Sequence, residues 1–178
     1  MKALTLTQPW ATLVALGLKK IETRNWRTDY RGPLAIHAAK NFPNAAQYLC
    51  FQQPFRKFLI DKYSFIQGGE IYLGRHAFPL GCVIATCTLT HCLKIPETPT
   101  EFINFDPRKY GIFLVLENGM ESTVMLPPSE PELSFGDYTA GRYAWLLFGI
   151  HQLPQPIPVR GQLGLWDWDA GVLSLIGQ

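Results

Sequence analysis

The sequence predicts an α+β domain of many short strands with a few helices. Three observations carry this expectation. With 47% hydrophobic and 17% charged residues, the 178-residue chain has the composition of a folded globule long enough to bury a sizeable core. Its 14 Pro and 15 Gly place many turns along the chain, which argues against an all-helical fold. Period-two patterning recurs at residues 19–26, 34–39 and 82–93, as half-buried or buried strands require. A single domain over residues 1–178 is expected, with insertions at about 40–78 and 95–130.

Near the start, Thr7 or Gln8 is placed to cap a helix with Pro9 at its first position, where the missing N–H costs nothing, and Gly17 stops it. From Lys19 the period changes. Lys20, Glu22, Arg24 and Trp26 fall on one side of an extended segment, and Lys19, Ile21, Thr23 and Asn25 on the other. One face thus carries a carboxylate between two cations. Leu34, Ile36 and Ala38 then alternate with Ala35, His37 and Ala39, a strand with two apolar faces and one imidazole. His37 is expected to be a hydrogen-bonded core residue unless it lies in a cleft.

Residues 44–62 read as two short helices broken at Pro54, and residues 64–76, with Gly68, Gly69 and Gly74, as an irregular surface loop. Residues 82–93 read as a long strand with a threonine-rich face, near whose end His91 and Lys94 are expected to meet solvent. Residues 110–117 and 120–126 suggest a hairpin around Asn118-Gly119. An apolar strand follows at 143–150, and the run Pro154-x-Pro156-Ile157-Pro158 is expected to be extended but outside a central sheet.

Net charge is only +2, so a nucleic-acid site would have to be a local basic groove. No run approaches the about 18 apolar residues of a membrane span. The first residues lack the apolar core of an export signal, so a cytoplasmic protein without a membrane partner is expected, and a monomer is favoured. Cys82, Cys87 and Cys92 lie at five-residue intervals, which is not a zinc spacing; with Cys50 they are expected to be reduced and buried, and no metal or cofactor is expected.

Three stretches in order carry a resemblance: Gln8-Pro9-Trp10, then Gly17-x-Lys19-x-x-Glu22-x-Arg24, then Arg31-Gly32-x-x-x-Ile36-His37-Ala38. Together they resemble the ASCH domain, a small β-barrel family related to the PUA fold. The 82–93 strand and the order Gly141-Arg142-Tyr143-Ala144-Trp145, Pro154-x-Pro156-Ile157-Pro158 and Gly161-x-x-Gly164-Leu165-Trp166 resemble the longer, bacterial or phage-type members. The resemblance implies a PUA-like fold and a function directed at RNA or a nucleoside.

Read from the residues, the candidate constellation is Lys19, Glu22 and Arg24 with Arg142, Tyr143 and a carboxylate from Glu130, Glu132 or Asp137. Guanidinium forks grip oxyanions, and Trp10, Trp26 or Tyr143 offer rings on which a base could stack, although packing in the core is the commoner use of Trp. A ligand-binding set of Trp10, Arg24, Trp26, His37, Arg142 and Tyr143 is therefore expected, with Lys19, Glu22 and Glu132 as catalytic candidates. Some relatives are implied to be amidohydrolases of N4-acetylcytidine that use a Thr nucleophile, a Lys and a Glu. Others are metal-independent ribonucleases, and many bind RNA. By position the motif Lys is Lys19, the distant Glu corresponds to Glu132, and Glu22 stands where the amidohydrolases have Thr. A carboxylate is a poorer nucleophile for an amide, so an RNA- or nucleotide-binding protein is the first expectation and a metal-independent hydrolase of RNA or of a modified nucleoside the alternative.

Overall fold

The computed structural model describes residues 1–67, 70–73, 78–95, 112–114, 124–126 and 131–173. In chain order the elements are β1 (Lys2–Leu6), α1 (Trp10–Ala15), β2 (Ile21–Arg24), β3 (Gly32–Ala38), α2 (Asn44–Leu49) and α3 (Phe55–Tyr63). Then come β4 (Ser64–Gln67), β5 (Glu70–Leu73), β6 (Cys82–Lys94), β7 (Ile112–Leu114), β8 (Val124–Leu126), β9 (Tyr143–Pro158) and β10 (Leu165–Asp167). Six strands form one sheet in the order β10-β1-β3-β6-β9-β2. The sheet is mixed: β1 runs parallel to β3, with Lys2 opposite Leu34, and antiparallel to β10, with Lys2 opposite Asp167. Sheet and short helices together are the α+β architecture expected from the sequence.

The chain forms two compact units, Met1–Gly17, Pro33–Cys87 and Gly149–Gln178 in the first, Leu18–Gly32 and Thr88–Phe148 in the second. In the first unit, Ala3, Ala35 and Val83 pack with Trp166 and Trp168, and Leu153 and Ile157 of β9 cover them. Helix α1 is capped by Gln8: its Oε1 accepts the Thr12 amide at 3.1 Å while its Nε2 donates to the Pro79 carbonyl at 2.9 Å. Gly17, at φ +70°, lets the chain turn out of the helix. In the second unit, Ile21, Leu93, Ile95, Ala144 and Leu146 form the core, flanked by Leu133 and Tyr138. All four cysteines are buried and unbonded to one another, as expected.

Two expectations need correction. Residues 64–67 and 70–73 pair as a hairpin, with Ser64 opposite Leu73, where an irregular loop is expected from the glycines. Phe65-Ile66 and Ile71-Tyr72 are strand formers on either side of a Gly-Gly turn signal, and pairing wins. The second hairpin pairs Ile112 with Leu126; Asn118 and Gly119 lie outside the described residues.

The other correction concerns the prolines, which continue β9 in the sheet. Near its start Leu147 donates its amide to the Lys20 carbonyl, so odd-numbered residues there turn their N–H toward β2. At its end the amide of Val159 reaches the Gly81 carbonyl, just before β6. The parity of the hydrogen-bonding edge has therefore reversed, which needs an extra residue in β9, and Gly149 at φ +57° supplies the left-handed position of such a bulge. Beyond it, Pro154, Pro156 and Pro158 present their missing N–H groups to the edge away from β6, where no ladder bond is lost.

Candidate functional site

In the second unit β2 pairs antiparallel with β9, Glu22 opposite Trp145 and Arg24 opposite Tyr143. Side chains directly opposite share a face, so Glu22, Arg24, Tyr143 and Trp145 stand on one side and the core residues Ile21, Ala144 and Leu146 on the other. Trp26 continues this side. Its ring meets Trp145 edge-on, centroids 4.6 Å apart at 85°, with Trp145 buried and Trp26 half-buried.

The carboxylate of Glu22 forms ion pairs with Arg24, whose Nε lies 3.1 Å from one oxygen, and with Lys19, whose Nζ lies 3.6 Å from the other. Lys19 is only 1% exposed. Alternation places it on the far face from Glu22, yet the two pair, because β2 begins at Ile21 and the residues before it do not obey the strand period. Its ammonium also donates to the Ile21 carbonyl. The cation next to Glu22 is thus Lys19, and Lys20 is exposed instead.

Glu132, on a 3-10 turn at Glu132–Phe135, receives the amides of Lys20 at 2.6 Å and Ile21 at 3.2 Å. Both its oxygens therefore hold the entry of β2. Burial pushes its carboxyl above the ordinary value, against the opposing pull of the Lys19 charge and those amide bonds. The Tyr138 hydroxyl lies 3.5 Å from Glu132, and burial together with the charges of Glu132 and Glu22 pushes this phenol up.

Arg142 belongs to a neighbouring network. It donates from Nε to the Asp137 carbonyl at 3.1 Å, faces the Asp137 carboxylate at 3.3 Å, and reaches the Thr23 carbonyl through Nη2 at 3.3 Å. The Thr23 hydroxyl accepts the Asp137 amide. Asp137 is held below its usual value, chiefly by the Thr139 hydroxyl, with Arg142 a smaller contributor.

The structure thus brings Lys19, Glu22, Arg24 and Glu132 together, with Trp26 and Tyr143 beside them; Asp137 partners Arg142, and Glu130 lies outside the described residues. Tyr138 and Thr23 escape sequence reasoning as contributors. The available signal is Gly136, whose absent Cβ leaves room for the Tyr138 ring, 2.6 Å from where that atom would stand.

Trp10 and His37 belong to the first unit. Trp10 packs edge-on against Phe55 at 6.1 Å. His37 is buried, its Nε2 3.1 Å from the Val159 carbonyl and its ring edge-on to Trp166 at 5.7 Å. Burial lowers its pKa, so the neutral ring donates from Nε2 and leaves Nδ1 as a buried acceptor without a hydrogen-bond partner. Gly161 closes over that edge: a Cβ there would stand 2.6 Å from Nδ1 and 3.0 Å from Thr5 Oγ1. His37 and Gly161 form part of the wall of a pocket of about 910 Å³, with Thr5, Lys40, Arg160 and Gln162 among the other lining residues.

Among the described residues no helix is long and apolar enough to cross a membrane. Activating signal cointegrator 1 from Mus musculus and from Homo sapiens are each 26% identical to the chain over 125 residues, which is 70% of this chain. The chain spans only 20% of the length of those relatives. Residues 4–130 match the ASCH domain, well over half of the chain. The chain therefore belongs to the ASCH domain family, a family linked to RNA binding, and has its α+β, PUA-like fold.

Proposed function

We propose that the protein is an RNA- or nucleotide-binding module whose ligand lies against the Arg24, Trp26 and Tyr143 face of the second unit. The β2–β9 register carries this reading, because it sets a guanidinium directly opposite a half-buried aromatic ring and beside a second one. A guanidinium fork suits phosphate, and a base stacked on an aromatic ring contributes about 1–3 kcal/mol. Lys19 and Glu22 act behind that face: Glu22 holds Arg24 by its Nε, and Lys19 holds Glu22. They are positioning residues, as is Glu132.

The hydrolase alternative needs a nucleophile and a base that touch the ligand. Lys19 and Glu22 are 1% and 8% exposed, and Glu132 spends both oxygens on backbone amides, which weighs toward binding. The test incubates the purified chain with labelled RNA, with nucleoside monophosphates and with N4-acetylcytidine, all in chelator. Salt-sensitive retention without product is expected, weakened about tenfold by Arg24→Ala or Tyr143→Ala. Product from RNA or N4-acetylcytidine would replace this reading with the hydrolase, and absence of retention of any of them at low salt would remove it.

A further inference from the structure

We infer that the ligand of this face is single-stranded RNA and that its site continues past β2 along residues 25–31, with Tyr30 as a second stacking platform and Arg27 as a phosphate contact. The inference rests on the binding reading above and extends it to residues that reading does not use. From Arg24 to Arg31 the chain reads Arg-Asn-Trp-Arg-Thr-Asp-Tyr-Arg, three guanidinium groups interleaved with two aromatic rings. Interleaving of this kind lets a strand alternate phosphate and base contacts.

The segment is ordered before any ligand arrives. Thr28 is buried and its hydroxyl accepts the Tyr30 amide at 3.1 Å. Arg31 folds back, donating from Nη1 to the carbonyls of Thr28 at 2.9 Å and Tyr30 at 2.7 Å. Arg31 is thus a staple, and its role is positioning. Gly32, at φ +132°, keeps the chain clear of the Tyr30 hydroxyl, 3.3 Å from where a Cβ would stand. Pre-ordering lowers the entropy that binding must overcome.

Arg27 pairs with Asp29 at 2.8 Å, but the two side chains are 45% and 84% exposed. A pair so open to water holds its cation weakly, and a phosphate can take the place of the carboxylate. The half-buried rings of Trp26 and Tyr30 can stack only on bases that are themselves unstacked, which selects single strands over duplex. A net charge of +2 for the whole chain likewise offers no broad field for a duplex backbone.

The test measures fluorescence anisotropy of a labelled single-stranded 12-nucleotide RNA, the same sequence in a duplex, and a mononucleotide. Variants are Arg27→Ala, Tyr30→Ala and Tyr30→Phe, with thermal melting to show that each folds. Tyr30→Ala is expected to weaken single-strand binding about tenfold and Tyr30→Phe to restore it, since the ring is kept. Arg27→Ala should weaken it several-fold and reduce the salt slope by about 0.7. The extension falls if both alanine variants bind as the wild type does while Arg24→Ala still weakens binding. It falls equally if the duplex or the mononucleotide binds as tightly as the single strand. If the wild type retains no RNA, the binding reading itself falls.

Discussion

Each compact unit buries a titratable side chain that burial shifts toward its neutral form, His37 in the first and Glu132 in the second, and the same physical cause gives the two opposite responses to pH. In the first unit burial holds His37 below its ordinary value of 6.5, and in the second burial holds Glu132 above its ordinary value of 4.5. Both sites favour the neutral form. For a histidine the neutral form is the deprotonated one, so the unfolded chain binds more protons below 6.5, and the stability that His37 contributes is lost as pH falls toward its folded value. For a carboxyl the neutral form is protonated, so the contribution of Glu132 is present below 4.5 and lost as pH rises through its folded value. The comparison teaches that hydrogen bonding need not offset desolvation: Glu132 has two amide donors and a nearby Lys19, and its carboxyl still lies above the ordinary range.

The largest test of this contrast removes the cation of the second unit. Lys19→Ala takes from the buried Glu22 its buried cation, and from Glu132 a nearby positive charge, and should cost about 3–5 kcal/mol in chemical denaturation. An unchanged midpoint would show that the cluster contributes nothing to the fold. In the first unit Gly161→Ala drives a methyl into His37 and should cost about 1–3 kcal/mol in the same measurement.

Next in size are the pH slopes. Amide hydrogen exchange around β3 and residues 157–159 should lose protection as pH is lowered from 7 to 5, after correction for intrinsic rates, and His37→Gln should flatten that slope. Exchange at residues 132–136 and at Lys20 and Ile21 should show the opposite trend above pH 4.5, flattened by Glu132→Gln. Asp137, held low, adds a loss below 3.8, but its exposure keeps that small. Parallel slopes in both units would refute the contrast. The smallest effect is expected from Asp167→Asn, which breaks an exposed pair with Lys2 and should shift stability by less than about 1 kcal/mol.

Sequence patterning made the sheet legible because the strand period of two is a local property. It showed β2, β3 and β6, the break between α2 and α3 at Pro54, and the buried thiols. The motif Gly17-x-Lys19-x-x-Glu22-x-Arg24 brought Lys19, Glu22 and Arg24 into one neighbourhood. Patterning could not assign Lys19 to the face of Glu22, because periodicity has no force before the strand begins. Nor could it show that Glu132 serves backbone amides 111 and 112 residues away, since an acceptor's partner is decided by chain return and not by composition. The prolines of β9 misled for a related reason: whether a missing donor matters depends on which edge it faces, and a bulge at Gly149 decides that.

That bulge has a consequence for how molecules of this protein meet one another. An exposed strand edge is ordinarily a template on which a second chain can grow, donor to acceptor, into an aggregate. Along the far half of β9 every second donor is a solvent-exposed proline, so an incoming strand would leave its own carbonyls unanswered. One glycine in a left-handed conformation turns three imino acids from a defect in the sheet into a barrier against its polymerisation.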